Sequence, residues 1–197
     1  MYTMHNKCHL DDPHDALEIP LSQCPQFDGW IAMYNSACSR FYAPSDLSGI
    51  GGMQTEIMWS TPLWRKEGSH HDSVFITTNP NTSGMRAFDI VRVLSFFSFM
   101  NQNGKYFPCA VIQWFDKLSD SADEKTGMWM VQPSILPNHS PNHVVIYIES
   151  IYCVAHLIPV YGATPISCHV KPHNCYDSFR TFYVNKYINH HAFELTS

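Results

Sequence analysis

Charge is scarce in this chain of 197 residues, of which only 15% are Asp, Glu, Lys or Arg. Its twelve Lys and Arg residues are dispersed, and the formal net charge is −5 at pH 7. Proteins that grip duplex DNA unaided need clustered basic side chains, because contacts to phosphate supply most of their non-specific affinity. The composition therefore predicts weak or no direct binding of DNA by this chain alone.

Long hydrophobic runs are missing as well. The longest apolar stretch, residues 90–100, is interrupted by Arg92, Ser95 and Ser98. A membrane-spanning helix needs about 20 consecutive apolar residues, and residues 1–12 contain no apolar run that could serve as a signal peptide. We therefore expect no membrane association and an intracellular protein.

The cysteines do not form the pattern of a disulfide framework. There are seven of them, irregularly spaced, whereas small stapled domains have an even number at regular intervals. Free thiols in a reducing compartment are the expectation. Hydrophobic residues make up 45% of the chain, enough for a core that offsets the entropy of ordering the chain.

The first part of the chain is irregular in pattern. Residues 1–28 are polar and contain three prolines, so they predict an extended arm. Residues 30–42 fit neither a strand nor a helix, and their type stays open. Residues 53–59 are expected to form one or two helical turns before a proline. We divide the chain into an N-terminal extended arm, residues 1–45, and a β-rich domain, residues 46–197.

From Ser73 onward the pattern is typical of short β-strands bounded by Pro, Gly, Asn or Asp. The predicted strands are residues 74–78, 90–99, 105–115, 128–131, 144–148 and 155–161. A short helix is expected after Asp177, where Phe179, Phe182 and Tyr183 recur at helical spacing. The predicted fold class is mainly β (α+β), a small β-barrel or sandwich with a short C-terminal helix and an irregular N-terminal arm.

The strands at residues 90–99 and 105–115 are predicted to pair as an antiparallel hairpin through Asn103 and Gly104, a strong turn signal. Alternation along the first strand defines two faces. One face carries Ile90, Arg92, Leu94, Phe96 and Ser98, and the other carries Val91, Val93, Phe97 and Phe99. Because both faces are largely apolar, we expect the hairpin to be central in the fold.

The densest group of soft metal ligands is Cys168, His169, His173 and Cys175. Structural zinc sites usually pair two close ligands with two distant ones, so that a loop wraps the ion. Four ligands this close would strain to reach one ion, and a surface loop is the expected interpretation. The pair at residues 190–191 would supply the distant ligands of a zinc site. We expect neither a metal nor a cofactor.

Other groups that could carry catalysis are isolated. The acids and histidine within residues 11–14, and the acids within residues 120–124, lie in polar, turn-like segments rather than on rigid elements. The sequence has no nucleophile elbow and no phosphate-binding loop. Cys38, Cys109 or Cys153 could act as a thiol nucleophile with a histidine, yet a lone buried cysteine is usually inert packing. The sequence therefore predicts no complete enzymatic site.

His156 lies inside the strand predicted at residues 155–161, beside Leu157 and Ile158. Burial disfavours the charged form of histidine, and no acid lies near it in the sequence. We expect a neutral, hydrogen-bonded core residue whose replacement by Ala costs stability.

Aromatic residues flank the predicted hairpin, and Tyr106, Trp114, Phe115 and Trp129 are the candidate binding residues. In a small barrel such side chains line grooves that stack a base or enclose a modified lysine. The alternative is that they fill the core, since aromatic residues dominate core burial.

Several longer phrases of the sequence are distinctive. They are FYAPSDLSG at residues 41–49, GGM at 51–53 with EI at 56–57, Pro62 and Trp64, GMR at 84–86, PCAV at 108–111, WF at 114–115, TGMW at 126–129, AHLIPVYG at 155–162 and FYVNKYINHH at 182–191. Together they resemble the C-terminal region of Plavaka-type transposases, which belong to cut-and-paste elements of mushroom-forming fungi. The resemblance covers most of the chain from about residue 21 onward.

Proteins of this family are several times longer, and the resemblance implies an RNase-H-like core, with acidic metal-binding residues that cut DNA, upstream of the matching segment. No catalytic residue carries over to a position here, so the resemblance implies a non-catalytic accessory domain. Its expected role is to pack against the transposase catalytic core or to contact DNA or chromatin, in the nucleus. Because the chain starts at its own Met1, we expect a truncated copy or gene fragment. Cys168 and Cys175 lie outside the family pattern.

Two alternatives stay open. The first is a chromatin-reader or peptide-binding barrel whose aromatic residues bind a histone tail or another peptide. Salt dependence distinguishes it from DNA contact, since phosphate contacts weaken steeply with salt whereas an aromatic cage does not. The second alternative is a gene fragment without a function.

Overall fold

The computed structural model describes Phe27 and residues 29–45, 49–163 and 165–197. Most of the predicted extended arm therefore lies outside the described residues. Its last part differs from the prediction, because β1 (Ile31–Tyr34) and β2 (Ser36–Tyr42) are strands that pair within the two sheets. The segment whose type stays open in the sequence thus belongs to the folded domain.

The described residues form ten further strands, two short α-helices and three 3₁₀ turns. The strands are β3 (Met53–Trp64), β4 (Gly68–His71), β5 (Ser73–Thr77), β6 (Phe88–Met100), β7 (Tyr106–Lys117), β8 (Met130–Pro133), β9 (His143–Tyr147), β10 (Ile151–Ala155), β11 (Leu157–Pro159) and β12 (Phe182–Val184). The helices are α1 (Cys175–Ser178) and α2 (His190–Thr196), and the 3₁₀ turns are Gly84–Ala87, Ile148–Ser150 and Pro172–Asn174.

The larger sheet curves into a nearly closed barrel. Its strands follow the order β10, β5, β6, β7, β8, β12 and β11. The strands β10 and β11 stand at opposite ends of that order, yet only His156 separates them in the chain. One bent stretch of chain therefore pairs with β5 and then with β12, which brings the two edges of the sheet together. This confirms the predicted mainly β fold with a short C-terminal helix.

The barrel interior is a continuous apolar core. Side chains from six of its strands meet there, namely Phe75, Phe88, Ile90, Phe115, Val131, Cys153, Ala155, Phe182 and Val184. Burying a large apolar side chain contributes about 1.5–3 kcal/mol to stability. The helix α2 packs at one end of this core, where the indole Nε1 of Trp129 donates to the carbonyl oxygen of Thr196 at 3.1 Å.

A second apolar cluster lies on the outside of the barrel, beneath the smaller sheet of β2, β3 and β4. Met58 of β3 packs there against outward-facing residues of the barrel strands, namely Val74, Ile76, Val91, Val93, Phe96, Ala110 and Ile112. The strand β6 is therefore buried on both faces within the barrel, as its apolar sequence predicts.

The strands β6 and β7 form the predicted hairpin. They pair over ten residue positions, and the amide of Asn101 donates to the carbonyl oxygen of Lys105 at 2.9 Å to close the turn. The hairpin is also central, because β6 and β7 contribute to both apolar clusters.

The predicted faces of β6 are wrong beyond Val93, because a β-bulge lies between Val93 and Ser95. Alternation holds up to Val93, but one extra residue reverses it beyond that point. Phe96 therefore lies in the outer cluster rather than on its predicted face. Phe97 and Phe99 lie on the face that continues the barrel interior, since they pair with residues of β7 on that face.

The helical turns predicted at residues 53–59 are wrong, because this segment is the first half of β3. It pairs with β2 from Met53 with Tyr42 to Trp59 with Ser36. An isolated helical turn is marginally stable, since it forms few hydrogen bonds for the residues it orders. Pairing with β2 adds a ladder of backbone hydrogen bonds along the whole segment, and this advantage decides the conformation.

The helix predicted after Asp177 is also misplaced. The helix α1 ends at Ser178, Phe179 follows it in an extended conformation, and Phe182 and Tyr183 belong to β12. Because side chains alternate along a strand, Phe182 and Val184 point together into the barrel. In a helix, two residues at this spacing would point in different directions. The C-terminal helix is α2, where the side chain of Asn189 accepts a hydrogen bond from the backbone of the first turn. No helix in the described part of the chain is long and apolar enough to cross a membrane.

The remaining strand predictions are close to the observed strands. The strands β5 and β9 lie within one residue of the predicted ranges, whereas β8 begins two residues later than predicted. The strand predicted at residues 155–161 is confirmed over β11. The strand β10 has no predicted counterpart, because no Gly, Pro or Asn separates it from β9.

We predict that Gly104→Ala lowers the free energy of unfolding by about 1 kcal/mol, because an L-residue strains at positive φ. Gly104 has a φ of 73°, and a Cβ there would meet no other atom within 4 Å. Gly162→Ala is the matched control, since its Cβ would also be unobstructed and its φ is not in the left-handed region. Urea denaturation of the three proteins measures the difference. Equal stability of the two variants would contradict the turn geometry.

Candidate functional site

The four aromatic residues predicted to bind a ligand lie in different parts of the fold. Phe115 and Trp129 are buried in the barrel core, with 4% and 7% of their surface exposed. Trp114 is half-buried on the outer face of β7. Tyr106 is exposed at the start of β7, where its hydroxyl lies 3.3 Å from that of Tyr34. The structure does not bring these four residues into one aromatic cage.

A different apolar surface lies where the β6–β7 hairpin extends beyond the barrel. There β1 pairs with β6 and β9 pairs with β7, so the sheet continues in the order β1, β6, β7 and β9. One face of this extension continues the barrel interior, and we call it the aromatic face. It consists of Ile31, Met33, Phe97, Phe99, Phe107, Cys109, Val111, Val145 and Tyr147, which neighbour one another across the four strands.

The rings of the aromatic face contact one another across the strands. Phe99 and Phe107 are stacked, with ring centroids 5.1 Å apart and an interplanar angle of 8°. The ring of Tyr147 lies 5.8 Å from that of Phe107, and the ring of Phe27 lies 5.0 Å from that of Phe99. Cross-strand aromatic pairs contribute about 0.2–1 kcal/mol each, so the strands hold this face in a defined shape.

Much of the aromatic face is open to solvent. Met33 is 64% exposed, Val145 is 55% exposed and Ile31 is 52% exposed. A basic group lies at its rim, where the ammonium of Lys105 is 5.2 Å from the ring centroid of Phe107. A contiguous exposed apolar patch on a folded domain marks an interaction surface. The aromatic face is therefore the candidate functional site.

The opposite face of the extension is fixed by hydroxyl groups. The hydroxyl of Tyr34 lies 3.1 Å from Oγ of Ser98 and 3.3 Å from the hydroxyl of Tyr106. These hydrogen bonds, first the one to Ser98, lower the pKa of Tyr34. They hold the short strand β1 against the hairpin and so position Ile31 and Met33 on the aromatic face.

The predicted metal ligands are not gathered around one point. Cys168 and His169 are exposed on a loop, and His173 lies in the 3₁₀ turn before α1. Cys175 begins α1, where burial raises the pKa of its thiol. His191 is buried against an aromatic ring of β2. Within the described residues, no three His, Cys, Asp or Glu side chains are grouped so as to hold a metal ion.

The acidic segment at residues 120–124 contains a side chain that stabilises a turn. The carboxylate of Asp123 accepts hydrogen bonds from the hydroxyl and the amide of Thr126, both at 2.9 Å. These bonds, first the one from the hydroxyl, lower the pKa of Asp123. The other acidic segment, at residues 11–14, lies outside the described residues.

Burial distinguishes the three candidate thiol nucleophiles. Cys38 is exposed, whereas Cys109 and Cys153 are buried. Burial raises the pKa of both buried thiols, more strongly for Cys153, where the carboxylate of Glu56 adds to the effect. Because the thiolate is the reactive form, neither buried cysteine is suited to nucleophilic attack.

His156 is exposed, so the prediction of a buried core histidine is wrong. The residue occupies the bend between β10 and β11, next to Ala155, whose side chain points into the barrel. Its backbone carbonyl oxygen accepts a hydrogen bond from the amide of Asn185 at 2.8 Å. The structural role of His156 therefore belongs to its backbone rather than to its imidazole.

Sequence reasoning misses a polar group at one end of the barrel. Arg92 is only 6% exposed, and its guanidinium donates to the carboxylate of Asp177 at 2.9 Å. The guanidinium carbon also lies 4.9 Å from the ring centroid of Tyr176. The ring of Tyr176 packs against Phe115 and Phe182 of the core, so α1 closes this end. An arginine within an apolar strand is the signal that could have revealed this contact.

A serine and a histidine form a second polar contact near Arg92. Oγ of Ser60 lies 2.9 Å from Nδ1 of His71 and donates to the carbonyl oxygen of Val93 at 3.1 Å. Burial, followed by the positive charge of Arg92, lowers the pKa of His71. Ser60 is only 3% exposed, so its hydroxyl is shielded from solvent and bridges β3 to β4 and β6.

We predict that iodoacetamide at about pH 8 labels Cys38 and Cys168 in the native protein much faster than Cys109 and Cys153, because labelling requires an accessible thiolate. Timed labelling followed by peptide mass spectrometry measures each site. The same reaction in denaturant is the control, and there the four thiols should react at similar rates. Rapid native labelling of Cys153 would show that the barrel is open.

The function of the aromatic face is inferred from its own chemistry and geometry. No family model, curated protein or solved structure matches the chain.

Proposed function

We propose that this chain is a non-catalytic accessory domain that packs through its aromatic face against the catalytic core of a transposase. The observation that supports this proposal best is the continuous, exposed apolar surface across β1, β6, β7 and β9. In this role the domain works in the nucleus, beside the core that cuts DNA.

The chemistry of the aromatic face favours a protein partner over DNA. Binding to a phosphate backbone draws its affinity from several Lys and Arg contacts, and Lys105 is at the rim rather than within the face. Exposed apolar side chains such as Met33 and Val145 gain free energy when another apolar surface removes them from water. Rigid aromatic side chains lose little conformational entropy on binding, which suits them as interface anchors.

The resemblance to Plavaka-type transposases supports the identity of the partner. It implies a catalytic core upstream of the matching segment in the same polypeptide. A covalent link of that kind raises the effective concentration of one domain at the other, often to millimolar values. An interface of modest affinity is then sufficient to keep the accessory domain docked on the core.

We predict that Met33→Asp weakens binding to a Plavaka-type transposase core by about tenfold, because it places a charge in an apolar interface and removes an exposed methionine that docking would bury. Leu63→Asp is the matched control, since Leu63 has the same 64% exposure but lies on β3, outside the aromatic face. Titration calorimetry with the separately purified core measures both affinities.

Circular dichroism of both variants serves as the test of folding, because substitutions at exposed positions usually change stability by less than about 0.5 kcal/mol. Equal affinities of Met33→Asp and Leu63→Asp would refute docking through the aromatic face. Self-association of the wild-type chain that Met33→Asp abolishes, without any binding to the core, would identify a second copy of this chain as the partner instead.

We also predict that the isolated chain binds duplex DNA weakly or not at all at about 150 mM salt, where electrostatic screening extends only about 8 Å. Two of the basic residues are neutralised within the fold, because Arg92 is paired with Asp177 and Lys117 is paired with Asp89. Titration of labelled duplex at several salt concentrations is the measurement. Submicromolar affinity with a steep salt dependence would show that a basic surface exists.

A further inference from the structure

A cavity on the outside of the barrel lies apart from the aromatic face. Its volume is about 410 Å³, and it is lined by Asp89, Trp114, Phe115, Asp116, Lys117 and Asn142. Pockets for small ligands and side chains typically begin at about 300 Å³, so this cavity is large enough to admit one side chain of a partner. It also contains Trp114, one of the aromatic residues that the sequence singles out.

Strand pairing explains why an indole and two carboxylates meet at this cavity. Ile90 pairs with Phe115, and Val91 pairs with Trp114. Asp89 and Asp116 are therefore the next neighbours across the two strands, at the end of the hairpin ladder. Because side chains alternate along a strand, both carboxylates lie on the same outer face as Trp114.

The two carboxylates are not fully compensated. Asp89 forms an ion pair with Lys117 at 2.9 Å and accepts a hydrogen bond from Thr78 at 2.9 Å. Asp116 is exposed and has no ion pair or side-chain hydrogen bond within the described part of the chain. Lys117, which also lines the cavity, neutralises Asp89 but leaves Asp116 without a counter-charge, so a cation that entered the cavity would meet one unpaired carboxylate.

The remaining walls of the cavity add specificity. The indole of Trp114 is half-buried against the outer cluster, and tryptophan is the aromatic side chain that binds cations best. The amide nitrogen of Asn142 donates to Oγ of Ser134 at 3.3 Å, which leaves its amide oxygen as an acceptor. One aromatic ring, a carboxylate and an amide oxygen thus border the same space.

We propose that this cavity binds the guanidinium group of an arginine side chain in a basic peptide. A guanidinium is planar, stacks on aromatic rings and presents five N–H donors, so it fits an indole beside several oxygen acceptors better than a compact, strongly hydrated ammonium does. The net charge of −5 favours the approach of a basic partner. The chemistry thus differs from that of the aromatic face.

This site is independent of the proposed docking surface, because the two lie on opposite faces of β7. Phe107 and Val111 belong to the aromatic face, whereas Trp114 and Asp116 point to the other side of the strand. A variant that loses arginine binding should still dock on a core, and a variant that loses docking should still bind arginine. The two proposals can therefore fail separately.

The test uses the full chain and two peptides, acetyl-Ala-Arg-Ala-amide and the same peptide with citrulline, which is neutral and nearly isosteric. Two-dimensional NMR follows the indole N–H of Trp114 during titration to about 10 mM peptide. We expect saturable shifts at Trp114 and at the amide of Asp116 with the arginine peptide, and no saturable shift with the citrulline peptide.

Three variants assign the binding to named groups. Asp116→Asn and Trp114→Phe should each weaken binding of the arginine peptide by about threefold, the size expected for a solvent-exposed ion pair or cation–π contact. Glu67→Gln is the matched control, because it removes the same charge from the exposed turn between β3 and β4, and it should bind like the wild type. Because Asp116 is exposed, Asp116→Asn should fold normally. It therefore tests the proposal even if Trp114→Phe folds poorly.

Two results would overturn the proposal. The first is equal binding of the arginine and citrulline peptides, or no saturable shift with either. The second is an equal loss of affinity in Asp116→Asn and Glu67→Gln, which would show that only the net charge of the protein attracts the peptide.

Discussion

The continuous pairing of β6 with β7 is the constraint on which the rest of the structure depends. Its ten residue pairs run from the barrel into the extension, so a single ladder of backbone hydrogen bonds supports both. Within the barrel, one face of this hairpin is core and the other face is covered by the smaller sheet. Beyond the barrel, no further sheet or helix of the described residues covers the core face, although the ring of Phe27 contacts Phe99, and this face becomes the aromatic face.

The bulge in β6 decides which side chains reach that surface. Without the extra residue, Phe96 would lie on the face that continues the barrel interior, and Phe97 would lie beneath the smaller sheet. The bulge exchanges these positions, so Phe96 is buried in the outer cluster and Phe97 joins the aromatic face. Bulges bend and twist a strand at a defined point, and here the bend falls where the barrel ends. The geometry of the candidate site therefore originates in one irregular residue of a core strand.

Local signals made the hairpin predictable, whereas the site depends on long-range pairing. Asn103 and Gly104 lie between two apolar runs, and this pattern acts over a few residues. The position of the bulge and the pairing of β1 with β6 depend on segments that are distant in sequence. Alternation does indicate that Trp114 and Phe115, as neighbours in a strand, cannot share a site. The structure separates them in this way, with Phe115 in the core and Trp114 beside the outer cavity.

His156 shows why burial was harder to predict than strand type. Its neighbours are apolar, and an apolar run with one histidine is typical of a buried strand. The chain bends at this residue, however, because the stretch must pair first with β5 and then with β12 to close the barrel. Closure turns the imidazole outward while Ala155 and Pro159 remain buried. The exposure of His156 follows only from the closed order of the strands, because no local sequence pattern specifies which two edges of the sheet will meet.

The edges of the extension strengthen the interpretation of the aromatic face as an interface. The strands β1 and β9 each pair on one side only within the described residues, so each leaves backbone groups at the border of the apolar surface. An exposed strand edge beside an apolar face promotes unwanted pairing unless a partner or charged residues protect it. The side chains of β1 are Ile, Ala, Met and Tyr, none of them charged. A domain that worked alone would gain from polar residues at these positions, whereas a docked domain needs them apolar.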